Sequence, residues 1–214
     1  MAKIITMPQL DPSSRPGMTA DGLACRRGHR LLFSGLTFAV RPGQIIWLRG
    51  ANGSGKTSLL RMLAGLSAPE AGRVNLQGER PLYLAHANAL KGDLTVVESL
   101  AFLARLHGRK ASNDALHSAL RRLGVASRHD APVRTLSQGQ KRRVALARLC
   151  LEPAASIWLL DEPFDALDAG GIETLNELLA EHAGRNGSAV LTSHQALQLD
   201  RPVPIRLSLD AAAA

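Results

Sequence analysis

The sequence predicts an α/β fold: a parallel sheet bearing a glycine-rich loop, an antiparallel β subdomain ahead of that loop, and an inserted α-helical subdomain. Three observations carry this. A short apolar run, Gln44–Arg49, leads through a glycine-rich turn, Gly50–Thr57, into a helix-like segment, Ser58–Gly65. A second apolar run, Ser156–Leu160, has the continuous hydrophobicity of a strand buried on both faces and ends in Asp161-Glu162. Between them, two helical patterns interrupt the strand–helix alternation.

In chain order, residues 1–17 are rich in Pro and Ser and lack the apolar core of a signal peptide, so a loose N-terminal tail is expected, with 211–214 as a second tail. One domain is expected over 18–210. Leu36, Phe38 and Val40 alternate with smaller or polar neighbours, the period of a half-buried strand, and residues 20–27 supply its antiparallel partner around the turn Arg27-Gly28-His29-Arg30. Arg41-Pro42-Gly43 turns the chain into the strand before the phosphate loop. Pro69–Gly72 turns it again, ahead of a short exposed strand with Val74 and Leu76 and a buried one over Pro81–Ala85.

Thr95-Val96-Val97-Glu98 reads as a capping box opening a helix whose apolar face is Val97, Leu100, Ala101 and Ala104, ending at Gly108. A second helix runs from Asn113 to Leu123, and the inserted helical subdomain is placed at about 87–150. Lys141, Arg142, Arg143 and Arg148 lie on a further helix, where Cys150 is expected to pack in the core. A helix over Gly170–Glu181, a strand over Ala189–Thr192 and one last short strand complete the pattern.

Aromatic residues make up 3% and hydrophobic residues 45%, so the core must be built from Leu, Val, Ile and Ala. The two cysteines form no disulfide framework, which fits a reducing compartment. No uncharged apolar run reaches the roughly 20 residues that span a bilayer. The net charge of +8 suits an anionic partner and does not choose among nucleotide, nucleic acid and membrane surface.

The chemistry starts at the loop. Its glycines let the backbone turn its N–H groups toward one anion, and the following helix adds the positive end of its dipole. Lys56 is expected to reach the β- and γ-phosphates, and the Thr57 hydroxyl to take a place on Mg²⁺. A carboxylate at the end of a buried strand is where such sheets place ligand chemistry, so Asp161 is expected to hold the metal and Glu162 to activate water.

With these residues the chain resembles the ATP-binding cassette (ABC) ATPases from about residue 20 to 209. Gly50, Ala51, Asn52, Gly53, Ser54, Gly55, Lys56 and Thr57 match the Walker A motif, with Ser58 next on the helix. Leu136-Ser137-Gln138-Gly139-Gln140 matches the family signature with Gln138 in place of glycine. Ile157–Glu162 matches Walker B, Ala166-Leu167-Asp168 the D-loop, and Ser193-His194 the switch histidine. The resemblance implies a P-loop NTPase with a RecA-like core, ATP and Mg²⁺ as ligands, and a head-to-tail homodimer. In it Ser137, Gly139 and Gln140 of one copy cover the nucleotide held by the other, and His194 contacts the γ-phosphate and the attacking water. His29, His107, His117, His129 and His182 carry no such motif and are read as structural.

Two positions depart from the pattern. The residue expected to stack on adenine is Arg27, where the family has an aromatic; a guanidinium can also stack. The Q-loop glutamine, a metal and water contact, is replaced by His86. Tyr83–Lys91, the run Leu-Ser-Gln-Gly-Gln-Lys-Arg-Arg and Leu159–Asp168 narrow the resemblance to the haem-exporter ATPases of bacterial cytochrome c maturation. That implies a peripheral subunit on the cytoplasmic face of the inner membrane, acting with a CcmB-like membrane subunit and CcmC and CcmD. Coupling to that subunit is expected over Ala87–Val97. The alternative is an ABC ATPase for another cargo, such as a drug or peptide. A soluble, nucleic-acid-linked ABC protein is disfavoured, because such proteins carry tandem cassettes or long coiled coils and neither pattern is present; no direct nucleic-acid contact is expected. There is no C-x-x-C-H haem attachment motif.

Overall fold

The computed structural model describes residues 17–78, 80–153, 155–195 and 197–210. The tails expected over 1–17 and 211–214 lie outside these residues, apart from Gly17. That residue is already part of the fold: its N–H donates to the Val40 carbonyl at 2.9 Å, and its carbonyl accepts from Gln77 N–H at 2.8 Å.

The chain divides into two compact units. The first comprises the described residues within 1–83, 154–161 and 180–214. It opens with β1 (Met18–Arg27) and β2 (Arg30–Val40), antiparallel around a two-residue turn, with β4 (Ala71–Leu76) on the other edge of β1. A five-stranded sheet follows in the order β5-β6-β7-β3-β8: β3 (Ile45–Arg49), β5 (Leu82–Leu84), β6 (Ile157–Leu160), β7 (Ser188–Thr192) and β8 (Ile205–Ser208). The β6–β7, β7–β3 and β3–β8 pairings are parallel. β6 and β7 are buried along their whole length, as expected of strands covered on both faces.

The core of this unit joins the two sheets across α1 (Lys56–Leu63). Phe33, Leu36 and Phe38 from β2 share one cluster with Leu59, Leu60 and Leu63 from α1 and with Ile46, Leu159 and Val190 from the parallel sheet. Phe33 and Phe38 are the aromatic members from β2 in a cluster otherwise rich in Leu, Ile and Val, in line with the composition.

The second unit comprises the described residues within 84–153 and 162–179. It holds α2 (Val96–Leu106), α3 (Asn113–Arg122) and α4 (Gln138–Leu146), and α5 (Ala169–Gly184) starts in it. The α2 capping box is present: Thr95 Oγ1 accepts from Glu98 N–H at 3.3 Å, and the Glu98 carboxylate accepts from Thr95 N–H at 2.8 Å. The Thr95 N–H and then the Thr95 hydroxyl, which donates to the same carboxylate at 2.8 Å, hold the Glu98 carboxyl below the usual carboxylate range.

One expectation holds in part here and another fails. Of the expected apolar face of α2, Leu100 and Ala104 are buried, whereas Val97 and Ala101 are half-buried and Val96, Ser99 and Leu103 complete the buried face. The helix starts at Val96, and the branched pair Val96-Val97 leaves period alone unable to say which valine faces inward. Cys150 is exposed, because α4 ends at Leu146 and a tighter 3-10 segment, Ala147–Leu151, turns position 150 outward.

Candidate nucleotide site

The elements of the first unit bring one set of side chains to the carboxyl edge of the parallel sheet. β6, β7 and β3 are parallel neighbours, so Asp161, Ser193-His194 and the 50–57 loop all emerge at the same edge. Glycine is required at Gly50: its φ is 153°, and a Cβ there would stand 2.5 Å from Ser54 Oγ. Gly55, with φ 103°, forms the N-cap of α1, and no acidic side chain stands in the first turn to oppose an anion. Lys56 Nζ folds back to donate to the carbonyls of Gly50 at 2.8 Å and Ala51 at 3.1 Å, holding the ammonium over the loop mouth. The Ser54 hydroxyl is buried with no hydrogen-bond partner in the structure.

Asp161 is buried at the end of β6. Thr57 Oγ1 donates to one of its carboxylate oxygens at 2.8 Å and Thr192 Oγ1 to the other at 3.0 Å. Hydroxyl and carboxylate together present the hard oxygen donors that Mg²⁺ prefers. Ala51 N–H donates to Asp210 Oδ1 at 3.0 Å, and Trp47 Nε1–H to the Ser193 carbonyl at 3.2 Å, which ties the loop and the Ser193-His194 segment to the sheet. A cavity of about 470 Å³ opens here, lined by Gly50, Lys56, Ser193, His194 and Asp210, with Arg49 and Arg206 beside Trp47. Arg27 is exposed at the end of β1. Asn52, Gly53 and Thr57 are exposed, and Ser58 is half-buried.

In the second unit, Ser137 caps α4: its hydroxyl accepts from Gln140 N–H at 3.2 Å, and Gln140 Oε1 accepts from Ser137 N–H at 3.0 Å. Ser137 and Gln140 are therefore spent on shaping the helix N-terminus, which is left exposed with its positive dipole end outward. Gly139 packs against the D-loop, where a Cβ would lie 2.8 Å from the Ala166 carbonyl oxygen. Arg143 pairs with the Asp168 carboxylate, which also accepts from Gly171 N–H at 2.9 Å. The Gly171 N–H and then Arg143 hold the Asp168 carboxyl below the usual range. His86 is exposed and faces Asp165, Nδ1 to Oδ2 3.5 Å. A second cavity of about 520 Å³, lined by His86, Asn88, Leu90, Arg134, Gln138 and Lys141, lies within this unit.

Thr192 and Asp210 escaped the sequence reading. A threonine closing the apolar strand Ala189-Val190-Leu191 was the available signal for Thr192. Nothing local marks Asp210, which acts on a loop 159 residues away.

A sheet edge that presents a phosphate loop, a lysine and a threonine–aspartate pair defines a nucleoside-triphosphate-binding P-loop protein. The ABC transporter family model matches residues 33–165. The chain is 46% identical over 193 residues to the cytochrome c biogenesis ATP-binding export protein CcmA of Methylococcus capsulatus, covering 85% of this chain and 93% of that protein. It is 47% identical to CcmA of Aromatoleum aromaticum, covering 85% and 90%. Among solved structures, a Pyrococcus furiosus protein described as an ABC transporter ATP-binding protein superposes with a TM-score of 0.79 at 22% identity, over 92% of this chain and 99% of that one, a likeness of fold. The chain therefore belongs to the ABC transporter ATP-binding family and, within it, to the CcmA group.

Proposed function

We propose that this chain is the ATP-hydrolysing subunit of a haem exporter that serves cytochrome c maturation. The curated relatives are named for ATP-binding export in cytochrome c biogenesis, which supports that assignment. The observation that carries the ATPase reading is Asp161 buried between two hydroxyls behind an exposed phosphate loop.

In this reading the loop from Gly50 to Thr57, with Ser58, binds the triphosphate, and Lys56 leaves the Gly50 and Ala51 carbonyls for the β- and γ-phosphate oxygens. Thr57 and Asp161 would hold Mg²⁺, with His86 in the place of the Q-loop glutamine; the ion would neutralise developing charge on the phosphates. Glu162 accepts the proton of the attacking water, and His194 orients that water and the γ-phosphate. Arg27 stacks on the base. The exposed N-terminus of α4, with Ser137, Gly139 and Gln140, closes over the nucleotide of a second copy; phosphate at a helix N-terminus is favoured by free N–H groups and the dipole together.

The membrane partners are a CcmB-like subunit with CcmC and CcmD, and the protein sits peripherally on the cytoplasmic face of the inner membrane. No helix among the described residues is long and apolar enough to cross a membrane. The groove around His86, Asn88 and Arg134 is where the membrane subunit docks, and its basic rim suits that task. One domain over 18–210, with the helical subdomain at about 87–150, remains the proposed division.

The test is to purify the Glu162→Gln complex with its membrane subunits in ATP and assay bound haem by absorption and mass spectrometry. Haem retained by the arrested complex and lost when the wild-type complex turns over is the expected result. A complex that never carries haem, with or without ATP, overturns the cargo.

A further inference from the structure

Arg142, on α4, is 2% exposed. Its Nη2–H donates to the Glu162 carbonyl at 2.7 Å and its Nε–H to the Pro163 carbonyl at 3.2 Å. Nη1 donates to the carbonyls of Ala85 at 3.1 Å and His86 at 3.3 Å, and to Asn88 Oδ1 at 3.0 Å.

We infer that Arg142 is a positioning residue for hydrolysis, clamping the backbone of Glu162 and tying it to the 85–88 loop. The inference rests on the reading of Glu162 as the base.

The reason lies in the backbone. Glu162 has φ 47°, a left-handed conformation uncommon for a residue with a Cβ. The proline that follows narrows its choices further. Such a conformation persists only where its surroundings over-determine it. The guanidinium provides this by gripping the carbonyls of both Glu162 and Pro163. Its named acceptors are all carbonyl oxygens, four of backbone and one of an amide side chain, so the head reads the shape of two segments. Three nitrogens in a rigid plane can span both at once; the single ammonium of lysine cannot. A displacement of the 85–88 loop therefore pulls on the group that holds Glu162, which gives that loop a mechanical path to the base.

The test measures steady-state ATP hydrolysis by the full chain, with the membrane subunits that co-purify, for Arg142→Lys and Asn88→Ala. Asn88 is half-buried in a loop, so its variant keeps the fold even where the loss of Arg142 does not. Arg142→Lys is expected to lower kcat roughly tenfold and Asn88→Ala roughly threefold, with KM for ATP within about twofold of native, the signature of an interaction expressed in the transition state. Added to Glu162→Gln, Arg142→Lys should lower the rate no further. Native kcat in Asn88→Ala, native kcat in a folded Arg142→Lys, or a KM that rises in step with the fall in kcat would overturn the clamp. Glu162→Gln alone separates the two readings: if it turns over ATP at the native rate the base is elsewhere, whereas its inactivity beside an active Arg142→Lys removes only the clamp.

Discussion

At the scale of single residues, the site depends on hydroxyls aimed at one carboxylate. Asp161 is buried, and a buried carboxylate is tolerated only when its oxygens are occupied. Thr192 holds the oxygen that Thr57 does not. Thr192→Val keeps the shape and deletes the donor. A hydrogen bond to a charged group contributes about 1.5–3 kcal/mol, so thermal unfolding should show a loss in that range. ATP turnover should fall about tenfold as the carboxylate loses its fixed orientation. A variant with native melting temperature and turnover would show that Thr192 does not orient Asp161.

At the scale of elements, His182 on α5 shows how a residue outside the site sets a pH limit. Its ring stacks on Trp158 of β6 at 3.6 Å and 7°, and its Nε2–H donates to the Ser156 carbonyl at 2.9 Å. Burial pushes its pKa down to about 4, outweighing the upward pull of its bonds to the Ser156 and Ser188 backbone. The sign follows from linkage. Below an unfolded pKa of about 6.5 the unfolded chain takes up a proton that the folded chain refuses until about pH 4, so stability falls as the pH drops through that window. Chemical denaturation should show this histidine costing about 2 kcal/mol at pH 5 relative to pH 7.5. A His182→Gln variant should lose that share of the pH dependence; an identical pH profile in the variant would contradict the assignment.

His182 also marks how far the elements could be read from sequence. Where a pattern is self-contained, the residues sufficed: the Thr95–Glu98 box opens α2, the alternation of Leu36, Phe38 and Val40 gives β2, and the unbroken run of Ile157–Leu160 gives β6. Where a position depends on a helix ending early, or on which of two adjacent valines leads, period is not enough, and the structure differs at Cys150 and at Val97 and Ala101 of α2. The phosphate loop was legible because its glycines answer a local backbone demand. The roles of Arg142 and Asp210 were not, because their acceptor and donor partners lie 20–57 and 159 residues away, respectively, in the chain.

At the scale of the whole molecule, the Gly50–Thr57 loop lies in the first unit and the exposed, Ser137-capped N-terminus of α4 in the second. In the proposed mechanism they are halves of a pocket completed by a second copy, with ATP as the bond between copies. The basic balance of the chain, +8, opposes self-association until a polyanion is bound between the copies. The most direct measurement is the sedimentation of the full chain carrying Glu162→Gln, with and without ATP, and with Ser137→Arg added. The account predicts a dimer that forms with ATP, persists because hydrolysis is blocked, and is abolished by Ser137→Arg while ATP binding to the loop remains. A protein that stays monomeric with ATP bound, or a Ser137→Arg chain with native Glu162 that hydrolyses ATP at the full rate, would contradict it.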